Sequence, residues 1–198
     1  MIKILDALSS GKRISQVKEL YMEAFPPEER IPFFFIKKKA KTKDADIFSV
    51  YDDGKFIGIV HCVYYLDIVY IYYLAIKKSE RANGYGTKLL RALSHKFADK
   101  RITLNIEVIT QDCDNRELRV KRKEFYMKNG YKECGYYVKE KDVPFEMLYC
   151  GRYVCMEEYE ELIANYFGKF LFKRYYKRVS DDGVSETNIN CTDTSISK

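Results

Sequence analysis

The sequence predicts an α/β (α+β) domain, a mixed and mostly antiparallel sheet with helices packed on it. Three patterns carry this expectation. Apolar residues at helical spacing near the N-terminus give way, from Asp46, to strands joined by a tight turn. An almost wholly apolar strand, Val69–Ile76, then runs through a glycine-containing loop into an amphipathic helix. After a further helix, two strands close the pattern. With 198 residues, 46% of them hydrophobic, the chain is long enough for one core without a disulfide or metal staple. A charged fraction of 32% argues against a membrane protein.

The elements follow in order. Met1–Asp6 alternates enough for a first strand. Ile14, Val17, Tyr21 and Phe25 mark one face of a helix, which Pro26-Pro27 ends, since proline lacks a donor and restricts the residue before it. A short second helix is expected from about Pro32 to Ala40. The lysines at 37, 38, 39, 41 and 43 read as a solvated helix end and loop, with a phosphate patch as the sharper alternative. Ile47–Tyr51 and Lys55–Leu66 are strands around the hairpin signal Asp52-Asp53-Gly54. Val69–Ile76 suits a strand buried on both faces. Leu89, Leu90, Leu93 and Phe97 mark the next helix, and Ile102–Ile109 another buried strand. A helix starts near Asp112–Asn115 and runs to about Lys128, where Asn129-Gly130 offers a left-handed cap. Tyr131–Lys139 and Phe145–Val154 are the closing strands. From Met156 a last helix presents Tyr159, Leu162, Ile163, Tyr166, Phe167 and Phe170 on one face.

The net charge of +6 is unevenly spread, −3 over 179–198 against +9 over 1–178. The acidic, polar stretch 179–198 reads as a flexible tail. A basic body wants an anionic partner, but no nucleic-acid motif accompanies it, so none is expected as a ligand. The six cysteines include no C-x-x-C pair, and only two histidines, His61 and His95, are present, so no metal site is expected. Met1–Leu8 lacks a signal-peptide pattern, and no apolar run nears the roughly 18 residues that cross a bilayer. Free thiols, no membrane contact and a cytoplasmic location are the expectations.

The most informative segment is the loop Arg81-Ala82-Asn83-Gly84-Tyr85-Gly86 between a buried strand and a helix. Glycines admit tight turns and close approach of a ligand to the backbone. The first helical turn adds open N–H groups and the positive end of the dipole, a cradle for phosphate. The spacing fits neither a P-loop nor a dinucleotide fingerprint.

The R-x-x-G-x-G spacing, with its strand and its Leu89-Leu90 helix, resembles the cofactor motif of the GNAT-superfamily N-acetyltransferases. Glu124-Phe125-Tyr126-Met127-Lys128-Asn129-Gly130-Tyr131 resembles the family's F-Y-x-x-x-G-[FY] segment, about forty residues later, as the family's order requires. The resemblance covers 1–154, leaving a helical extension at 155–178, packed on the core or a partner, and the tail. It implies a sheet split at its centre, with acetyl-CoA entering the split and an acetyl group passing by direct attack to a primary amine on a small molecule or peptide. Leu74, Ala75 and Ile76 would meet the pantetheine arm, and the amides of Arg81, Ala82, Asn83, Gly84, Tyr85, Gly86 and Thr87 the pyrophosphate. Asn115 matches a further contact position, or is only a helix cap.

A lysine-like amine of pKa ~10.4 is neutral in only about one molecule in a thousand near pH 7.4, a deficit of ~4 kcal/mol that the site must offset. Tyr126 is the candidate acid for the departing thiolate, through the family motif, though it could simply pack. Glu107, alone in an otherwise apolar strand, is the candidate base, with a salt-bridged carboxylate as the alternative. Glu28 and Glu29, in the loop after Pro26-Pro27, are candidates for attracting the amine. His61 reads as a packed, hydrogen-bonded histidine rather than a base. A non-catalytic acyl-CoA-binding or protein-interaction module on the same fold is the competing reading. A homodimer would be one way to bury the apolar face of the extension.

Overall fold

The computed structural model describes residues 1–110, 115–140, 143–169, 171–172 and 176–178. Strand β1 (Ile2–Asp6) leads to helices α1 (Gly11–Ala24) and α2 (Phe33–Lys39). A meander follows, β2 (Ala45–Asp52), β3 (Lys55–Tyr65) and β4 (Ile68–Ile76). Then come α3 (Tyr85–Lys96), β5 (Arg101–Glu107), α4 (Arg116–Lys128), β6 (Lys132–Glu140), β7 (Val143–Cys150), α5 (Met156–Phe167) and β8 (Tyr176–Arg178). Among the described residues the strands form one sheet in the order β1-β2-β3-β4-β5-β7-β6-β8.

Local chemistry sets the joints. The β2–β3 hairpin turns on Asp53 and Gly54, both at positive φ, as a two-residue turn between twisted strands requires. Helix α4 ends with Gly130 at φ +85, Tyr131 N–H donating to Tyr126 O and Gly130 N–H to Met127 O, the paired bonds that close a helix through a left-handed residue. The expected start of α4 near Asp112 lies outside the described residues.

Helices cover both faces. Val17, Leu20 and Tyr21 of α1, Ile36 of α2 and Tyr159, Leu162, Ile163 and Tyr166 of α5 share one core with the sheet. Leu89, Leu90 and Leu93 of α3 and Tyr126 of α4 share the core on the other face. The apolar face of α5 is thus buried within the chain itself. Beyond it, β8 adds an edge strand to β6, an element that no periodicity in 169–178 announced. Lys37, Lys38 and Lys39 occupy the last turn of α2, where cations complement the helix dipole.

The sequence holds 18 tyrosines and no tryptophan, and the first face takes up several of them. Tyr21, Tyr70, Tyr159 and Tyr166 are fully buried, and their rings pack while their hydroxyls find partners. His61 belongs to this network. Its Nδ1–H donates to Asp46 O at 2.8 Å, and Nε2 accepts from the Tyr166 hydroxyl at 2.8 Å. Burial lowers its pKa to about 4, so it is neutral at neutral pH. An unfolded histidine takes its proton near pH 6.5, whereas the folded one waits until about 4. Stability is therefore complete above pH 6.5 and falls as pH drops from 6.5 towards 4. Thermal unfolding across that window should show the loss in the wild type and a flatter profile in His61→Gln.

The sheet is split. Among the described residues, β4 and β5 are the only parallel neighbours, and they pair at Ile68↔Arg101, Val69↔Ile102 and Tyr70↔Thr103 and nowhere beyond. The closed end is knotted by Arg101, whose guanidinium bonds Asp67 at 2.6 and 2.9 Å, Glu158 at 2.7 and 2.8 Å, and Tyr153 O at 3.0 Å. From Ile71 and Leu104 onward the two strands diverge.

Candidate active site

The open half of the split is lined by backbone that β5 would otherwise pair. The N–H and C=O of one strand residue point to the same side, and successive residues alternate. Lys77 N–H donates to Ile57 O on β3, so Ala75 also faces β3. A β-carbon built on Gly58 would lie 2.6 Å from Ala75 O, which agrees with that direction. Leu74 and Ile76 therefore turn their backbone groups into the split. The Ile76 carbonyl accepts from Arg81 Nε at 3.2 Å, which ties the loop to the strand end.

Pairing between β3 and β4 slips between His61↔Tyr73 and Cys62↔Ile71, leaving Tyr72 as the extra residue of a β-bulge. Tyr72 and Tyr73 in consequence both face the core shared with α1, α2 and α5. The Tyr73 hydroxyl donates to Glu29 O at 2.8 Å and accepts from Ile31 N–H at 3.0 Å. The Tyr21 hydroxyl donates to Ile31 O at 2.8 Å. These bonds pin the α1–α2 loop against the bulge.

At the other end of β4, a 3-10 turn at Lys78–Glu80 leads into the glycine loop. Buried Glu80 is held by Lys55 at 2.7 Å, and that ion pair keeps its carboxyl below the usual range. Ala82 (φ +64) and Gly84 (φ +73) both take left-handed backbone. The first described backbone bond after this turn is Lys88 N–H to Gly84 O at 3.1 Å. Among the described residues the amides of Ala82 through Thr87 have no acceptor, so six consecutive N–H groups are open at a helix N-terminus. A β-carbon on Gly86 would meet the Phe125 ring at 2.9 Å, so this glycine lets α3 pack closely on α4. The two sequence motifs touch at that point.

Tyr126 is 9% exposed and packs against Phe125 and Tyr131. Burial pushes its pKa to about 12, so the phenol keeps its proton through neutral pH. Glu107 is 8% exposed and ion-paired through both oxygens, Oε1 to Arg119 at 2.9 Å and Oε2 to Arg122 at 2.6 Å. Arg119 also donates to Asn115 Oδ1 at 2.7 Å and Val108 O at 2.6 Å. The Asn115 side chain thus serves Arg119 and does not cap its own helix. Glu29 is half-buried, and burial together with nearby Glu107 holds its carboxyl above the usual range, against the pull of Arg122 and Arg119. Glu28 is exposed. The fold therefore gathers Glu29, Glu107, Asn115 and two arginines, and holds His61 in the tyrosine network instead.

One carboxylate escaped the sequence reading. Glu140, the last residue of β6, accepts hydrogen bonds from Tyr72 at 2.9 Å, Tyr159 at 2.7 Å and Asn105 at 3.3 Å. The only hint was polar Asn105 in an apolar strand. A groove of about 720 Å³ is lined from α1, α2 and their loop alone, among them Ile14, Tyr21, Met22, Arg30 and Phe34. It has no wall from β4, β5 or α3, the elements that carry the open backbone of the split. Among the described residues no group of His, Cys, Asp and Glu could hold a metal ion, four cysteines are free thiols, and no helix is long and apolar enough to cross a membrane.

Solved structures share this architecture. A protein assigned to the GNAT family from Bacteroides thetaiotaomicron superposes with a TM-score of 0.70 at 20% identity, over 87% of this chain and 98% of that one. An aminoglycoside 6'-N-acetyltransferase complexed with coenzyme A gives 0.59 at 20%, over 75% and 95%. The ribosomal-protein-S18-alanine N-acetyltransferase from Escherichia coli gives 0.57 at 12%, over 79% and 97%. At such identities these likenesses establish the fold. No curated protein matches the sequence. Residues 14–136 match the family described as Acetyltransferase (GNAT). With the split sheet and the glycine loop in place, the chain belongs to the GNAT acetyltransferase family and is an acyltransferase.

Proposed function

We propose that the protein transfers an acetyl group from acetyl-CoA to a primary amine by direct attack. The observation that carries this is the run of six open amides, Ala82 to Thr87, at the end of a strand whose own backbone opens into the split. The amides fit the pyrophosphate, and Leu74 and Ile76 fit the amide-bearing pantetheine arm as an extra strand would. The Leu74 N–H is the donor for the oxygen that gains charge during attack. Tyr126 donates a hydrogen bond to the departing sulfur. Its pKa of about 12 lies above that of a thiol, ~8.5, so complete proton transfer would be uphill by about 5 kcal/mol. Tyr126 therefore stabilises the thiolate without surrendering its proton.

Glu107 suits positioning better than base catalysis, because each of its oxygens already carries a guanidinium. It fixes α4, and with it Tyr126, relative to β5. Glu29 borders the acceptor entrance, with its backbone fixed by Tyr73.

The test is thiol release from acetyl-CoA with a panel of amines. Turnover that depends on the amine is the expected result. Binding of CoA without release on any amine would make the protein a binding module instead.

A further inference from the structure

The glycine loop has little backbone bonding of its own. Among the described residues the amides of Ala82 to Thr87 have no acceptor, and Ala82 and Gly84 sit at positive φ. A loop that must become ordered around an anion gives up affinity, unless it is ordered beforehand. Two contacts come from the segment itself. Arg81 Nε donates to Ile76 O at 3.2 Å, and the Asn83 side-chain amide donates to Glu80 O at 3.4 Å. Further contacts come from the β2–β3 hairpin.

Asp52 and Lys55 are the cross-strand pair that flanks the turn at Asp53 and Gly54. Both reach the loop. Lys55 Nζ lies 2.7 Å from Glu80 Oε1 and donates to Oε2 at 2.8 Å, and Ser79 Oγ donates to Oε1 at 3.1 Å. Exposed ion pairs contribute little to stability. Here the lysine side chain is 62% exposed, but Glu80 is buried directly before the loop. A buried carboxylate needs its partner, and removing that partner is costly. Asp52 stands by Tyr85, the first residue of α3. Burial and, after it, the Asp52 charge hold the Tyr85 phenol above its usual range. Asp52 also accepts from the Met1 ammonium at 2.8 Å, and Lys88 Nζ lies 5.0 Å from the centre of the Tyr85 ring. The hairpin therefore meets the loop on two sides, at Glu80 before the open amides and at Tyr85 among them.

We propose that the tip of the β2–β3 hairpin, through Lys55 and Glu80, is the positioning device of the pyrophosphate cradle, holding Ala82 to Thr87 in their binding conformation before the coenzyme arrives. This rests on the acetyl-CoA reading above. Lys55 and Glu80 are positioning residues that act through the loop backbone. Without the lysine, the Glu80 carboxylate would turn out towards water and carry the loop with it.

The experiment titrates CoA by calorimetry into the wild type and into Lys55→Met, Lys55→Arg, Glu80→Gln and the Lys55→Met/Glu80→Gln double variant. Lys55→Met should bind CoA about 10-fold more weakly, the scale of one charged hydrogen bond. Lys55→Arg keeps the charge and should bind as the wild type does. Glu80→Gln should also weaken CoA. Simple attraction between charges predicts the opposite sign there, because that substitution removes a negative charge near the phosphates. The double variant should lose no more than Lys55→Met alone, since both changes break one contact. In the free Lys55→Met protein, backbone amide signals should shift over 80–87 and stay in place at Leu74, whereas a general loosening would move both. CoA binding by Lys55→Met equal to the wild type, tighter binding by Glu80→Gln, or additive losses in the double variant would overturn the proposal. Lys55 is exposed, so its variants decide the matter even if Glu80→Gln does not fold. If the wild type binds no CoA, the cofactor reading fails and this inference with it. If the wild type binds CoA and Lys55→Met binds it equally, this inference alone fails.

Discussion

Replacing Tyr126 with Phe is expected to lower kcat about 100-fold and to leave KM for acetyl-CoA within a few-fold. The substitution removes one oxygen from a ring that remains packed against Phe125 and Tyr131. Among the described residues no hydrogen bond is made by the Tyr126 hydroxyl, so its loss strands no partner. The expected loss comes from the departing sulfur, because a hydrogen bond to a charged group contributes about 1.5–3 kcal/mol. That range spans one to two orders of magnitude in rate. Steady-state kinetics with thermal unfolding as a control checks it. A kcat within a few-fold of wild type would return Tyr126 to the role of a packing residue.

Gly84→Val is expected to weaken CoA binding about 50-fold with little change in packing. Gly84 has φ +73, and nothing lies within 4 Å of where a β-carbon would stand. The penalty is therefore conformational. Left-handed backbone costs an L-residue about 1–2 kcal/mol and is worse for a β-branched one. The loop relieves it by rotating the peptides that aim the Gly84, Tyr85 and Gly86 amides. Each such amide contributes about 1.5–3 kcal/mol towards an anionic oxygen, so misaligning one or two gives the stated loss. Calorimetric titration of CoA into both proteins measures it. Gly86→Ala works differently, since its β-carbon would meet Phe125 at 2.9 Å, and it should loosen α3 against α4 as well as CoA.

These two glycines show what sequence could and could not carry. The loop, its helix and the Phe125–Gly130 segment were legible because each is local, a few residues whose backbone demands are written in glycine and apolar spacing. The alternation of strands and helices was legible for the same reason. What stayed hidden depends on strand pairing. The slip that puts Tyr72 and Tyr73 on one face appears only once β3 lies beside β4. Glu140 looked like one charge among many at a strand end, because its donors stand 19, 35 and 68 residues away. Glu107 was conspicuous as a carboxylate in an apolar strand, yet its two arginines come from α4, and their pairing with it appears only in the fold. Strand β8 has too few residues to show a period.

The surplus of tyrosines has a similar explanation. Composition shows 18 tyrosines and no tryptophan, but not where they sit. In the fold, Tyr21, Tyr73, Tyr159 and Tyr166 fill one face of the sheet and use their hydroxyls to tie loops, His61 and Glu140 to it. The bulk of each ring serves the core, and the hydroxyl makes a specific hydrogen bond.

The most direct measurement is a titration of CoA into isotopically labelled protein, followed through backbone amide signals. If acetyl-CoA occupies the split, the largest changes fall on Ala82 to Thr87, with Leu74 and Ile76 next. Changes centred on the α1–α2 groove, or none at all at saturating CoA, would contradict that placement.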